Sequence, residues 1–244
     1  MKLYLLKLAY MHLTDSSPTY IPVPGYVVQT DDGVNILIDT GFPYGSDENS
    51  PHSPPGLIIE MHEEDFVVNR LQSIGLRPAD IDILVCTHFD PDHAGNHELF
   101  ANAELVVQRK HYEFARTSKD ERFASIREHW NYLALSYCLV DGDTELIPGI
   151  ELIETSGHVP GHQAVLIRLP KTGTVILAID AIPHLSMPDA DTRWVMPLDM
   201  DEAGTRASTR KLVELARREN AALIIHGHDA QQWATLKHAP EFYS

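Results

Sequence analysis

The chain has 244 residues, 43% of them hydrophobic, and its 35 acidic against 19 basic side chains leave a formal net charge of −16. So acidic a protein offers no phosphate-binding surface, which excludes nucleic acid as a partner. No apolar run reaches the ~18 residues of a membrane span, and MKLYLLKLAYMHL at the N-terminus is interrupted by Lys7 and His12 with no small-residue cleavage site behind it, so a soluble cytoplasmic protein is expected.

Residues 2–9 and 25–30 read as strands, and Asp31-Asp32-Gly33 as the hairpin turn that leads into the next. NILIDTG (35–41) is a buried strand ending in a tight glycine turn. Residues 42–56 are rich in Pro, Gly and Ser and form a surface loop. Phe66, Val67, Leu71 and Ile74 recur at helical spacing within 63–76, closed by Gly75, and DILVCTH (82–88) is again a strand. In the second half, 104–108 is a strand, 109–116 and 121–135 are helices, and 150–154, 163–169 and 174–179 are strands. A proline-bearing loop over 183–199, a helix over 201–219 and a strand over 222–226 complete the chain. No linker or repeat divides it, so a single domain over 1–244 is expected, with a core large enough to need no disulfide. Cys86 and Cys138, each in an apolar run, are expected as buried free thiols. Two groups of strands, each followed by helices, suggest an α+β arrangement in which two sheets pack face to face with helices outside.

The chemistry concentrates where these strands end. His88, Asp90, Asp92 and His93 follow one strand in THFDPDHAGN, and His158 follows another in ETSGHVPGHQ. Asp180 ends a third in VILAIDA, and His228 follows the last in LIIHGHDA. Each group leaves a strand at its C-terminal end, where loops can converge. Buried charges need partners or metals. Imidazoles and carboxylates from four strand ends supply the nitrogen and oxygen donors of a two-metal site, with a carboxylate short enough to bridge.

These motifs, together with IDTG (38–41), AIDA (178–181) and GHD (227–229), resemble the metallo-β-lactamase superfamily. IPVPGYVV (21–28), ELVVQRKHYEFA (104–115) and DGDTELIPGIELIETSGHVPGHQ (141–163) are similar to its N-acyl-homoserine lactonase branch, which quenches quorum signals. The resemblance covers nearly the whole chain. It implies an αββα sandwich of two mixed β-sheets flanked by helices, and a hydrolase that opens lactone rings by attack of a metal-bridging hydroxide. It implies further that His88, Asp90 and His158 hold one divalent ion, that Asp92, His93 and His228 hold the other, and that Asp180 bridges them. Zinc is the expected metal, with Mn, Fe or Co admitted. Asp92 is expected to pass the proton to the leaving oxygen, and Asp39 and Thr40 to orient ligands rather than bind metal. His228 is preferred to His226 because it lies in GHD, and His162 is expected to serve packing.

Two positions depart from the family pattern. Asp90 stands where the pattern has a His, which makes the donor set more oxygen-rich and more tolerant of harder cations. Pro183 stands where the lactonases carry a substrate-contacting Tyr, and His184 beside it is the expected replacement donor. Loops 10–22, 42–60 and 183–199 are expected to wall the substrate pocket through Met11, Tyr20, Phe42, Tyr44, Met187 and Trp194. A homodimer is compatible with this reading. The alternatives are another ester or thioester hydrolase of the superfamily and a metal-binding member without hydrolysis.

Overall fold

The computed structural model describes residues 1–13, 20–51, 53 and 56–244. The first sheet holds β1 (Lys2–Leu13), β2 (Ile21–Gln29), β3 (Asn35–Ile38), β4 (Leu57–Glu60), β5 (Ile83–Val85), β6 (Glu104–Gln108) and β7 (Ser136–Val140), in the order β4-β1-β2-β3-β5-β6-β7. Pairings from β4 to β3 are antiparallel, and those from β3 to β7 are parallel. The second sheet holds β8 (Thr144–Ile147), β9 (Ile150–Glu154), β10 (Gln163–Leu169), β11 (Gly173–Ile179) and β12 (Leu223–His226), in the order β12-β11-β10-β9-β8, antiparallel except for β11–β12. Both sheets are therefore mixed, as expected.

Strand alternation builds the layers. Leu3, Leu5, Tyr26, Val28, Ile36, Ile38, Val85 and Val106 of the first sheet face Ile150, Leu152, Val165, Ile167, Val175, Leu177 and Ile225 of the second in one buried core. The alternate residues point outward and meet helices. Leu6, Val27, Leu37, Leu84 and Leu105 pack on α1 (Val67–Ser73) through Val67 and Leu71. On the other side, Ile153, Leu166 and Ile176 pack on a 17-residue helix, Glu202–Arg218, through Leu212 and Leu215. Period-two sequence thus gives two buried faces per sheet, and the αββα order follows. Among the described residues no helix is long and apolar enough to cross a membrane.

Several elements differ from the sequence reading. The helix expected over 121–135 is two short helices, Glu121–Ala124 and Arg127–Trp130. Strands β4, β7 and β8 were not anticipated. β4 and β7 are sheet edges whose residues are mostly half-buried, so their apolar periodicity is weak, and β4 lies in a segment read as loop. Cys86 is buried, whereas Cys138, on edge strand β7, is only half-buried.

A fourth apolar cluster supports the loop after β5. Phe89, fully buried, stacks on Trp130 at 4.5 Å and on His111 at 5.0 Å between ring centroids. Trp130 is itself fully buried and donates its indole N–H to the Phe123 carbonyl at 3.2 Å. Trp130→Ala should destabilise the fold by about 3–5 kcal/mol, the cost of deleting a large buried aromatic; a shift of less than about 1 kcal/mol in equilibrium denaturation would show that the cluster does not support the loop.

Candidate metal centre

The seven acidic and imidazole residues picked out at strand ends come together at the C-terminal edges of both sheets. Loop 86–90 leaves β5 with His88 and Asp90, and helix α2 (Pro91–Ala94) carries Asp92 and His93 in a single turn. His158 sits in the β9–β10 turn, Asp180 directly after β11, and His228 two residues after β12. His88, Asp90, His158 and Asp180 form one group whose donor atoms lie within 4.8 Å of one another, and Asp92, His93 and His228 form a second.

Asp180 joins the two. Its Oδ2 lies 3.5 Å from His88 Nε2, 3.2 Å from His158 Nε2 and 3.6 Å from His93 Nε2, while its Oδ1 lies 3.0 Å from His228 Nε2. Asp90 Oδ2 is 3.2 Å from both His88 Nε2 and His158 Nε2. Asp92 Oδ2 is 3.4 Å from His93 Nε2 and 3.6 Å from His228 Nε2.

Each imidazole is turned the same way by a partner on its far nitrogen. His93 Nδ1–H donates to Asp39 Oδ2 at 2.8 Å, and His158 Nδ1–H donates to Asp199 Oδ1 at 2.8 Å. His228 Nδ1–H donates to the Pro22 carbonyl at 2.8 Å. His88 Nδ1–H donates to Thr87 Oγ1 at 3.0 Å, whose own hydroxyl donates to Asp39 Oδ2 at 2.7 Å. With Nδ1 engaged, all four Nε2 lone pairs face inward, the orientation in which histidines bind metal. His88 Nε2, His93 Nε2 and Asp180 Oδ1 are buried and have no hydrogen-bond partner. Buried polar atoms are rarely left so, and all three belong to residues of the two converging groups. The donor set and its orphaned atoms fit divalent cations with nitrogen and oxygen ligands. Left to themselves, these charges would hold protons instead: burial lowers the His158 pKa, but Asp180, Asp199 and Asp90 outweigh it and push it up to about 9.

The backbone is held in rare conformations where it delivers these groups. Asp39 has φ 60° and Ile179, just before Asp180, has φ 50°, a region that a β-branched residue seldom enters. At Gly227 an added Cβ would lie 2.7 Å from the Ile179 carbonyl and 2.9 Å from Asp180 Oδ1, so only glycine lets the β12 loop pass the Asp180 carboxylate.

Asp39 and Thr40 take the supporting places expected of them: Thr40 Oγ1 donates to the His93 carbonyl at 3.2 Å. His162 accepts the Asp180 amide on Nε2 at 3.3 Å and donates from Nδ1 to Thr155 Oγ1 at 2.8 Å, so it holds the backbone at Asp180. His226 donates to the Ile182 carbonyl at 3.0 Å and reaches none of the ligand atoms. Three residues escaped the sequence reading. His111 accepts the Phe89 amide at 2.8 Å and donates to Pro160 O at 2.9 Å, tying the β5 loop to the His158 turn; burial pushes its pKa down to about 3, which keeps it neutral for both roles. Asp199 orients His158. Arg122 pairs bidentately with Asp90 and touches His158 Nε2. Only Arg122 had a signal in the sequence, because an extra buried carboxylate at position 90 calls for a cation.

The centre forms the floor of a cavity of about 860 Å³. Met11, Ile21, Leu57, Met187 and Leu198 line its walls, and His184 reaches it from the loop after Asp180. The expected wall residues are thus corrected in part. Met11 and Met187 line the cavity, but Phe42 is fully buried core, and Tyr20, Tyr44 and Trp194 are exposed without lining it. Residues 14–19 of the first wall loop lie outside the described residues.

A family model of the metallo-beta-lactamase superfamily matches residues 19–228. An N-acyl homoserine lactonase of a Bacillus species is 34% identical over 237 residues, covering 94% of this chain and 90% of that protein. The AttM N-acyl homoserine lactonase of Azorhizobium caulinodans is 31% identical over 238 residues, covering 91% and 88%. The solved structure of an N-acyl homoserine lactone hydrolase with the product N-hexanoyl-L-homoserine bound at its catalytic metal center aligns with a TM-score of 0.86 at 29% identity, over 99% of this chain and 98% of that one. With its fold, its converging ligand set and relatives matched over almost their full length, the chain belongs to the metallo-beta-lactamase superfamily and groups within it with the N-acyl homoserine lactonases.

Proposed function

We propose that this enzyme is a metal-dependent lactonase that opens the ring of N-acyl-homoserine lactones, with His88, Asp90 and His158 holding one divalent cation, Asp92, His93 and His228 the other, and Asp180 between them. The observation that carries the reading is the convergence of four Nε2 atoms and three carboxylates on the floor of an apolar-walled cavity. Zinc suits the imidazole donors best, and Mn, Fe or Co suit the oxygen donors. Cys86 and Cys138 are both free thiols, which fits a reducing compartment, and we place the enzyme in the cytoplasm.

Bound cations would supply acidified water and polarise the ester carbonyl. The chain's own residues do the rest. Met11, Ile21, Leu57 and Met187 sequester an acyl chain from water and so orient the lactone with its ring toward the floor. Asp92 Oδ2 lies 3.4 Å from His93 Nε2 and 3.6 Å from His228 Nε2, and we assign its carboxylate the part of proton acceptor. Asp92 also faces the cavity. As the water oxygen bonds to the carbonyl carbon and the ring C–O bond breaks, Asp92 takes the water proton and returns it to the leaving alkoxide, giving the hydroxy acid. His184, 42% exposed at its side chain, has Nδ1 paired with Ser186 Oγ at 2.8 Å and Nε2 3.7 Å from Asp229 Oδ2. It lines the cavity where the lactonases' Tyr is replaced by Pro183, and we assign it the hydrogen bond to the substrate carbonyl.

Parallel assays on an acyl-homoserine lactone, an acyl thioester and nitrocefin test the substrate class. Lactone turnover should exceed the other two by at least about 10-fold in kcat/KM; preference for the thioester or for nitrocefin would replace the lactonase reading, and metal uptake without any turnover would reject hydrolysis altogether. His228→Ala should remove about one metal equivalent per chain and nearly all activity, whereas His226→Ala should keep both metals, and elemental analysis of the two variants decides between them. His184→Ala should lower kcat about 10-fold or more with metal content intact, the scale of one lost donor to developing charge. An unchanged kcat would return His184 to the status of a loop residue.

A further inference from the structure

We infer that Arg122 is a built-in competitor for the cation at His88, Asp90 and His158, so that the two halves of the centre differ in affinity and the Asp92–His93–His228 half fills first. The inference rests on the metal-binding reading of these residues and is independent of the substrate. Arg122 projects from the short helix Glu121–Ala124, and its side chain is only 11% exposed. Nε donates to Asp90 Oδ1 and Nη2 to Asp90 Oδ2, a fork matched to the carboxylate. The same Nη2 touches His158 Nε2. Asp90 Oδ2 and His158 Nε2 lie 3.2 Å apart, and both are atoms that a cation in this half would need. The guanidinium therefore stands on two ligand atoms of one half. In the other half, among the described residues, no Lys or Arg pairs with Asp92.

Charge accounts for this asymmetry. Asp90 adds one negative charge to a buried cluster that already holds Asp92 and Asp180, and Arg122 cancels it. The cancellation is permanent, because a guanidinium does not deprotonate in proteins. A metal ion entering this half must push Arg122 off Asp90 or share the carboxylate with it. Displacement breaks the fork and loosens the Nη1 hydrogen bond to the Leu198 carbonyl at 2.6 Å, which ties the helix to the 183–199 wall. Sharing leaves a fixed positive charge beside the incoming cation. Either route weakens this half, on the order of 10- to 100-fold, the scale on which partners of metal ligands change affinity.

The test is titration of zinc into the demetallated full-length protein against a chromophoric chelator, with cobalt absorption followed in parallel. Wild type should take up one equivalent tightly and a second about 10- to 100-fold more weakly. His228→Ala should lose the tight step and His158→Ala the weak one. Arg122→Gln, which removes the charge but can still hydrogen-bond Asp90, should strengthen the weak step about 10-fold or more, and Arg122→Lys, which restores the charge, should leave it weak. Two equal steps in wild type, or a gap unchanged in Arg122→Gln, would overturn the inference while leaving the two-metal centre in place. No uptake at all would remove both. If Arg122→Gln does not fold, Arg122→Met, which keeps the bulk without the charge, takes its place in the same titration, with the same outcomes deciding.

Discussion

Asp180 touches all four imidazoles of the centre, through Oδ2 on one side and Oδ1 on the other. Where this one carboxylate lies decides whether the strand ends make two groups of ligands or one shared centre. The fold holds it from three directions. Ile179 accepts a left-handed backbone to turn it inward, His162 takes its amide, and Gly227 clears a path beside it for the β12 loop. Strain of this kind, of order 1–3 kcal/mol per residue, persists only where the surroundings over-determine it. Here those surroundings are two sheets whose shared core is fully buried up to Ile179 itself.

A second ring of groups sets the imidazoles. Four acceptors of three kinds hold the Nδ1 atoms: the Asp39 and Asp199 carboxylates, the Thr87 hydroxyl and the Pro22 carbonyl. They come from the β3 turn, the long 183–199 loop, the β5 end and β2. The His93, His158 and His228 rings are thus held by residues distant in sequence, whereas His88 is held by its neighbour Thr87, which is itself tied to Asp39. Asp39 has a double part, since it holds His93 directly and His88 through Thr87. One carboxylate therefore orients a histidine in each half of the centre, which couples the two halves mechanically even though their charge surroundings differ.

Those charge surroundings turn on Asp90 and its partner Arg122. An aspartate at position 90 need not weaken a metal site, because a carboxylate oxygen is a legitimate ligand. Pairing it with Arg122 changes its meaning: the carboxylate and the guanidinium together present nearly the charge that one neutral imidazole would. The pair also anchors the cavity wall at Leu198, so the floor and the wall of the cavity share a residue.

Much of the fold and the ligand set could be read from the order of residues. Period-two strands and the His and Asp residues that follow them are local features, and a ligand placed just after a buried strand has little choice about which end of the sheet it occupies. That is why His88, Asp90, Asp92, His93, His158, Asp180 and His228 meet at one end of the sheets, as their places after strands imply, and why the two-sheet sandwich could be expected. Edge strands β4 and β7 stayed hidden because half-burial blurs the alternation that marks a strand. Asp199, His111 and Arg122 stayed hidden for a different reason. Arg122 lies 32 residues from Asp90, and Asp199 lies 41 residues from His158. The sequence by itself determined which residues can bind a cation and at which end of the sheets they stand. Only the tertiary structure decided how each imidazole is turned and which cation already sits on Asp90, because those depend on contacts between loops whose approach is set by packing of the two sheets and leaves no periodic trace in the chain.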